Sequence, residues 1–159
     1  MKGMLVLVAV AASALGVGGL AGAREVPESI AAASGQGQAH PMLTLRTTRF
    51  GRVLFDGRGR VLYGFTRDRR GGPSRCYGGC ATAWPVYFAN ATMPVRAGAG
   101  VKKSLIGTTR RRNGRLQVTC NGWPLYFYAH EGPGEVKCQN VDQFGGLWLV
   151  VRANGTLVR

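Results

Sequence analysis

From Met42 onward the apolar residues fall into short runs that alternate with polar positions or stop at glycine. That spacing predicts strands and tight turns rather than long helices. The segment "MLTLRTTRF" is one strand candidate. "RVLFD" and "RVLYGF", separated by Gly57-Arg58-Gly59, predict a hairpin with a glycine-containing turn. "CYGGCATAWPVYF" predicts a tight loop followed by a short helical turn or a strand, and residues Ala89 to Lys103 an extended connection. "GGLWLVVRANGTLV" predicts a last hairpin turning at Asn154-Gly155. Together these elements predict an all-β domain of antiparallel hairpins.

Part of the pattern occurs twice. Eighteen residues from Gly114, "GRLQVTCNGWPLYFYAHE", lie without a gap over "GRVLFDGRGRVLYGFTRD" from Gly51, at a constant offset of 63. Gly51 meets Gly114, Gly59 meets Gly122, Tyr63 meets Tyr126, and Asp68 meets Glu131. Glycines at matching turn positions point to backbone conformations that other residues resist. Two copies are too few for a solenoid, so two related repeats, 51–68 and 114–131, are expected inside one compact domain. Each copy carries an aromatic pair followed by an acid: Tyr63, Phe65 and Asp68, then Tyr126, Tyr128 and Glu131. On a strand the two rings share a face. The acid then falls at or past the strand end, where a carboxylate accepts hydrogen bonds from turn N–H groups. The rings are expected to pack and the acids to hold turns. The competing reading makes the rings a platform for sugars or flat ligands, with the acid as a hydrogen-bonding end.

The N-terminal residues change the compartment. Lys2, an apolar run from Met4 to Leu20, and Ala21-Gly22-Ala23 match a cleaved secretory signal over 1–23. Residues 24–41, "REVPESIAAASGQGQAHP", bury too little apolar surface to order and are expected to form a flexible linker. No second run of membrane length follows, and the folded domain is expected over 42–159. In an exported chain the four cysteines imply two disulfides. Of the three connectivities, Cys76–Cys80 with Cys120–Cys138 is favoured. Cys76 and Cys80 flank two glycines, and the Gly132-Pro133-Gly134 turn can bring Cys138 back toward Cys120.

The formal net charge is +14, which bears on partners rather than on fold. Two groups of arginines concentrate it: Arg67, Arg69, Arg70 and Arg75 in the first loop, and Arg110, Arg111, Arg112 and Arg115 before the second hairpin, beside Lys102 and Lys103. Outside a cell such groups suit anionic cell-wall polymers or lipid headgroups. The same charges also serve to keep sheet edges apart. No aromatic residues are interleaved in these runs, so nucleic acid is not expected.

"YGFTRD", "CYGGCATAWP", "QVTCNGWPLYFYAHEGPG" and "FGGLWLVV", in that order, resemble the bacterial secreted-repeat family of predicted lipoproteins with the Y-x-(F/W/Y)-x-x-D motif. The resemblance spans most of residues 49–151 and implies an exported β-rich domain with no known reaction. Lipoprotein members carry an acylated cysteine where "LAGA" ends in Ala23, so a secreted form without a lipid anchor is expected. His40 and His130 are the only histidines, and the cysteine spacing fits neither a zinc site nor haem attachment. No catalytic, cofactor or metal residues are therefore assigned. The expected role is a binding or structural module of the envelope with a basic surface. The alternative is an extracytoplasmic redox protein or enzyme using Cys76 and Cys80.

Overall fold

The computed structural model describes residues 41–159. The expected signal segment and all but the last residue of the expected linker lie outside them. β1 (Met42–Thr48) and β2 (Gly51–Asp56) form an antiparallel hairpin in which Leu45 faces Leu54. Phe55 then bridges to Val61, which begins the run into β3 (Tyr63–Phe65), as the Gly57–Gly59 turn predicts. A short helix, α1 (Gly79–Ala83), and β4 (Arg96–Ala97) follow. β5 (Ile106–Arg110), β6 (Leu116–Cys120) and β7 (Trp123–Pro124) make the second hairpin unit, and β8 (Val141–Asp142) and β9 (Leu147–Val150) come last. Three small sheets result, ordered β2-β1-β4, β3-β9-β8 and β5-β6-β7. One pairing departs from the expected antiparallel scheme: β4, inside the patternless 89–103 connection, runs parallel to β1. Among the described residues no helix is long and apolar enough to cross a membrane.

The central strands are buried on both faces, which explains why they read "VLF", "VLYGF" and "LWLVV" rather than alternating strictly. Val53, Phe55, Val61, Tyr63, Phe65, Tyr126, Trp148 and Val150 point into one core. Their neighbours Leu54, Leu62, Leu125, Phe127 and Val151 point into a second. The first core is organised by a column of flat rings. Trp84 stacks on Trp148 at 3.9 Å between centroids, and Trp148 stacks on Phe65 at 4.1 Å. Tyr63 meets Trp84 edge-on, and Tyr126 meets Trp148 edge-on. Each such pair contributes about 0.5–1.5 kcal/mol beyond its buried area. One residue satisfies both indoles: Trp84 Nε1 donates to Gln143 Oε1 and Trp148 Nε1 to the Gln143 carbonyl.

The repeats exchange their ends. Tyr63 and Tyr126 pair antiparallel, each N–H donating to the other's carbonyl at 2.9 and 3.0 Å. On its other side Tyr63 pairs with Val150, which follows the second copy in the chain, and Tyr126 pairs with Val86, which follows the first. Further out, Gly134 N–H donates to the Gly59 carbonyl, and its counterpart Gly71 N–H donates to the Gly122 carbonyl. The relation breaks at the turns. Repeat one closes a three-residue turn, with Asp56 N–H on the Arg60 carbonyl and Gly59 at φ +84°. Repeat two closes a two-residue turn, with Asn121 at φ 49° and Gly122 at φ 80°, both left-handed as such a hairpin requires. β6 is consequently displaced by one residue from the gapless alignment: Leu62 N–H reaches the Leu54 carbonyl, but Leu125 N–H reaches that of Val118. A slip of one residue reverses which face a side chain occupies. Gln117 therefore takes the place of Val53, and Cys120 that of Asp56 rather than Gly57.

The disulfide expectation needs correction. Cys76 and Cys80 are bonded, with Cα atoms 5.2 Å apart. Cys120 and Cys138 are free thiols. They lie in different cores, on opposite faces of the central strands, so no second bridge joins them. Burial pushes the Cys120 thiol up to about 11, and burial, with the field of Glu131 second, also raises Cys138. We expect the oxidised chain to gain roughly two mass units on full reduction, one bridge's worth. Cys120 and Cys138 should react with a thiol reagent only after denaturation, because the thiolate is the reactive form. Rapid labelling of either in the native protein would contradict this arrangement.

Candidate anion-binding cleft and the motif beside it

The motif residues form a crossed pair of hydrogen bonds at the junction of the repeats. Tyr63 of repeat one donates to Glu131 Oε1 of repeat two at 2.8 Å. Tyr126 of repeat two donates to Asp68 Oδ2 of repeat one at 2.7 Å. The acids also hold their own loops, as the sequence suggests: Arg75 N–H donates to Asp68 Oδ1 at 2.7 Å, and Lys137 N–H donates to Glu131 Oε1. Asp68 is 4% exposed and Glu131 6%. Tyr63, Phe65 and Tyr126 are buried as well, and Tyr128 is half-buried against Trp84 and His130. An open ring platform is thereby excluded for this motif. Burial raises both carboxyls above the ordinary range, against the opposing hydrogen bonds from the tyrosines and backbone N–H groups. Burial, reinforced by the neighbouring acid, also raises both phenols.

The second pair opens onto a polar network that the first lacks. Ser74 Oγ lies 2.7 Å from the Tyr126 phenol oxygen and accepts from Arg111 at 2.7 Å. Arg111 also donates to Gln117 Oε1 at 2.8 Å and to the Cys76 carbonyl at 2.5 Å. Gln117, placed by the β6 slip, donates in turn to the Leu125 carbonyl at 3.0 Å. Arg111 is only 5% exposed. It is a buried strut that also lines the space above it.

Above the strut lies a cleft of about 640 Å³ lined by Arg67, Arg75, Arg110, Arg111 and Arg112 with Pro73, Ser74 and Tyr77. Tyr77 sits inside the loop closed by Cys76 and Cys80. Its ring receives Arg111 at 4.3 Å and Arg112 at 4.6 Å from the centroid. The lining contains no carboxylate. Among the described residues the only ion pair is Lys137 with Glu135, so none of these arginines is paired with an acid. Arg67 donates to the Phe144 carbonyl and Arg110 to the Gly114 carbonyl, which fixes both near the rim.

The structure thus brings Arg67, Arg110, Arg111 and Arg112 of the predicted set together, from loops far apart in sequence. Arg69 and Arg70 are not in the lining; Arg70 is turned onto Asn121, to its backbone carbonyl and its side-chain oxygen. Arg75 joins the cleft because its N–H is held by Asp68. Tyr77 was legible only as a spacer between cysteines. No local pattern distinguishes a ring held by two guanidiniums from one that merely fills a loop.

The raised carboxyls fix a sign. A folded-state carboxyl pKa above its unfolded value gives stability that is complete below the ordinary carboxylate range and lost as pH rises through the raised value. We expect wild type to lose stability relative to Asp68→Asn/Glu131→Gln as pH rises from about 4 to neutral; denaturant midpoints at each pH measure this. The raised phenols carry the same sign, so stability is lost upward from the ordinary tyrosine value of 10.0. A double-mutant cycle on Tyr63→Phe and Glu131→Gln should give a coupling of about 1.5–3 kcal/mol, as expected for a hydrogen bond to a charged group. Coupling near zero would mean that the crossed bond contributes nothing.

The family comparison agrees with this duplicated architecture. A family model described as a secreted repeat of unknown function matches residues 44–87 and again 107–152, more than half of the chain. No curated protein and no solved structure matches it. The two matched stretches contain the two eighteen-residue copies and extend to include Val86 and Val150. The chain belongs to the family of secreted repeats of unknown function.

Proposed function

We propose that this protein is an exported binding module, freed from a signal segment over 1–23, that holds anionic envelope material in the arginine cleft. The observation that carries the reading is the lining: five arginines around one ring, with no carboxylate among them. Unpaired guanidiniums held at fixed spacing suit carboxylate or phosphate oxygens, which they contact in a planar, bidentate way. Arg111 and Tyr77 are held in place before any ligand arrives, which lowers the ordering cost of binding. A repeating polyanion, such as a wall polymer with phosphodiester or uronate groups, matches an open cleft better than a compact substrate does. The redox alternative draws no support from Cys76 and Cys80, which are buried and already bonded to each other.

Net charge alone would also retain a basic protein on polyanions, so the test compares equal charge changes at two places. Arg110→Ala/Arg112→Ala removes two cleft charges, and Arg49→Ala/Arg159→Ala removes two exposed charges outside it. We expect the cleft variant to bind polyglycerol phosphate or polygalacturonate about tenfold more weakly, and the control to stay near wild type. Binding should fade with added salt as the charges are screened. Equal losses in both variants would reduce the effect to bulk charge and overturn the cleft as a site.

A further inference from the structure

A second cleft, at the turn end of repeat one, has a different character. It occupies about 810 Å³ between the start of β1, the 56–60 turn, the 86–90 segment and β4. Its wall is apolar and aromatic, from Met42, Val86, Tyr87, Phe88, Met93 and Phe127, and its rim carries Arg58, Arg60, Arg96 and Arg115. Two of the guanidiniums lie over the rings. Arg60 is 4.3 Å from the Phe127 centroid and is fixed by the Tyr128 carbonyl at 2.9 Å; Arg115 is 3.4 Å from the Phe88 centroid. The one carboxylate in the lining, Asp56, is buried, and its Oδ1 accepts the N–H groups of Arg58 and Arg60 at 3.0 and 2.8 Å. It is committed to the turn and makes no ion pair with the rim. Tyr87 spends its hydroxyl on the Met42 carbonyl, and its buried ring meets Phe127 edge-on at the base of the cleft. Among the described residues the rim cations thus form no ion pair, while Tyr87 and Phe127 are buried and Phe88 is half-buried beneath Arg115.

The other repeat supplies an internal comparison. By the repeat offset Phe127 corresponds to Gly64, Arg58 to Asn121 and Arg60 to Trp123, and by strand pairing Phe88, opposite Gln117, corresponds to Arg152, opposite Val53. There the chain fills the place of the Phe127 ring itself. Val151 pairs with Leu157 in the last hairpin, and a Cβ placed on Gly64 would lie 2.5 Å from Leu157 Cδ2. The turn of that repeat is occupied by Arg70, whose guanidinium bonds Asn121. In that copy an aliphatic side chain takes the place of the ring, and the smaller cleft left at the turn, about 520 Å³, holds an arginine bonded to a neutral amide. The copy at repeat one keeps the ring wall, adds guanidiniums and leaves the volume open.

We infer that this cleft binds a small amphipathic anion, a carboxylate or phosphate head on a hydrocarbon body. The body would lie along Met93, Phe88 and Phe127, and the head would be met by Arg96 and Arg115 at the rim. The volume falls within the range of small-molecule sites, and the lining is divided about evenly between apolar and polar surface, as an amphipathic ligand requires. Methionine at two wall positions lets the lining adapt to a flexible chain. No methionine lines the arginine cleft, which has a single ring and five cations. The two sites are therefore independent, and the failure of one leaves the other standing.

The test is calorimetric titration of the secreted chain with dodecyl phosphate below its micelle concentration. Inorganic phosphate and dodecyl maltoside each serve as a single-feature control. We expect one saturable site for dodecyl phosphate and none for either control. Arg96→Ala/Arg115→Ala should weaken binding about tenfold or more, and Met93→Asn should weaken it without any change in charge. Arg110→Ala/Arg112→Ala, in the other cleft, should leave it unchanged. Dodecyl phosphate that fails to saturate, a head or a chain alone that binds as well, or affinity indifferent to Arg96 and Arg115 would each overturn the assignment.

Discussion

The structure depends on the two crossed bonds between tyrosine and carboxylate at the repeat junction. Each acid lies three residues past the aromatic pair of its own repeat, yet receives the phenol of the other. A bond of that kind forms only when both copies are present and docked antiparallel through Tyr63 and Tyr126. Neither repeat can satisfy its own motif. A buried carboxylate without a partner costs more than a hydrogen bond returns, so a separated repeat would carry an uncompensated charge in its core. The exchange of Val86 and Val150 and the stack of Trp84 on Trp148 add apolar burial to the same junction. The duplication is thus a folding requirement and not two modules in tandem.

The same junction explains why the motif is a poor place for chemistry. Asp68 and Glu131 each accept a phenol and a backbone N–H, both are nearly sealed from solvent, and no described buried side-chain polar atom lacks a partner. A saturated, dry carboxylate can neither reach a substrate nor exchange a proton with one. What differs between the repeats lies outside the motif. Slipping β6 by one residue puts Gln117 where repeat one has Val53, and that amide gives Arg111 a buried acceptor. Ser74 extends the network to Tyr126, and the strut holds the Cys76 end of the disulfide loop that carries Tyr77. The asymmetry that ruins the exact repeat is the asymmetry that builds the cleft.

Much of the fold was legible because it is local. The turn glycines, the hairpin at Gly57–Gly59 and the last turn at Asn154-Gly155 are dictated by backbone conformations that few residues tolerate. The Cys76–Cys80 bridge follows from a loop short enough to close on itself. The acids' bonds to the N–H groups of their own loops were also within reach of the sequence. What escaped was relational. A constant offset of 63 describes two copies, but does not say that each copy completes the other. The gapless alignment concealed a three-residue turn balanced against a two-residue one, and the resulting slip of β6 helps place Cys120 in a different core from Cys138. Arg111 stood in a run of three arginines with nothing to mark it as the buried one. Its identity depends on Gln117 and Ser74 being beneath it, six and thirty-seven residues away.

Charge and fold are separate constraints in this molecule, and their separation bears on where ligands can act. The cores need no cation beyond Arg111, and five further lining arginines, Arg60, Arg67, Arg110, Arg112 and Arg115, are held at rims by single backbone carbonyls or by aromatic faces. Such contacts fix a guanidinium's place without neutralising it. A surface meant only to stay soluble would gain nothing from ordering those side chains, because solvated arginines perform that task while mobile, and ordering costs side-chain entropy. Ordered and unpaired cations beside apolar rings are instead arranged for an anion that brings its own apolar or planar surface. The fold supplies the rigid junction, and the clefts at its edges are where this chain meets something else.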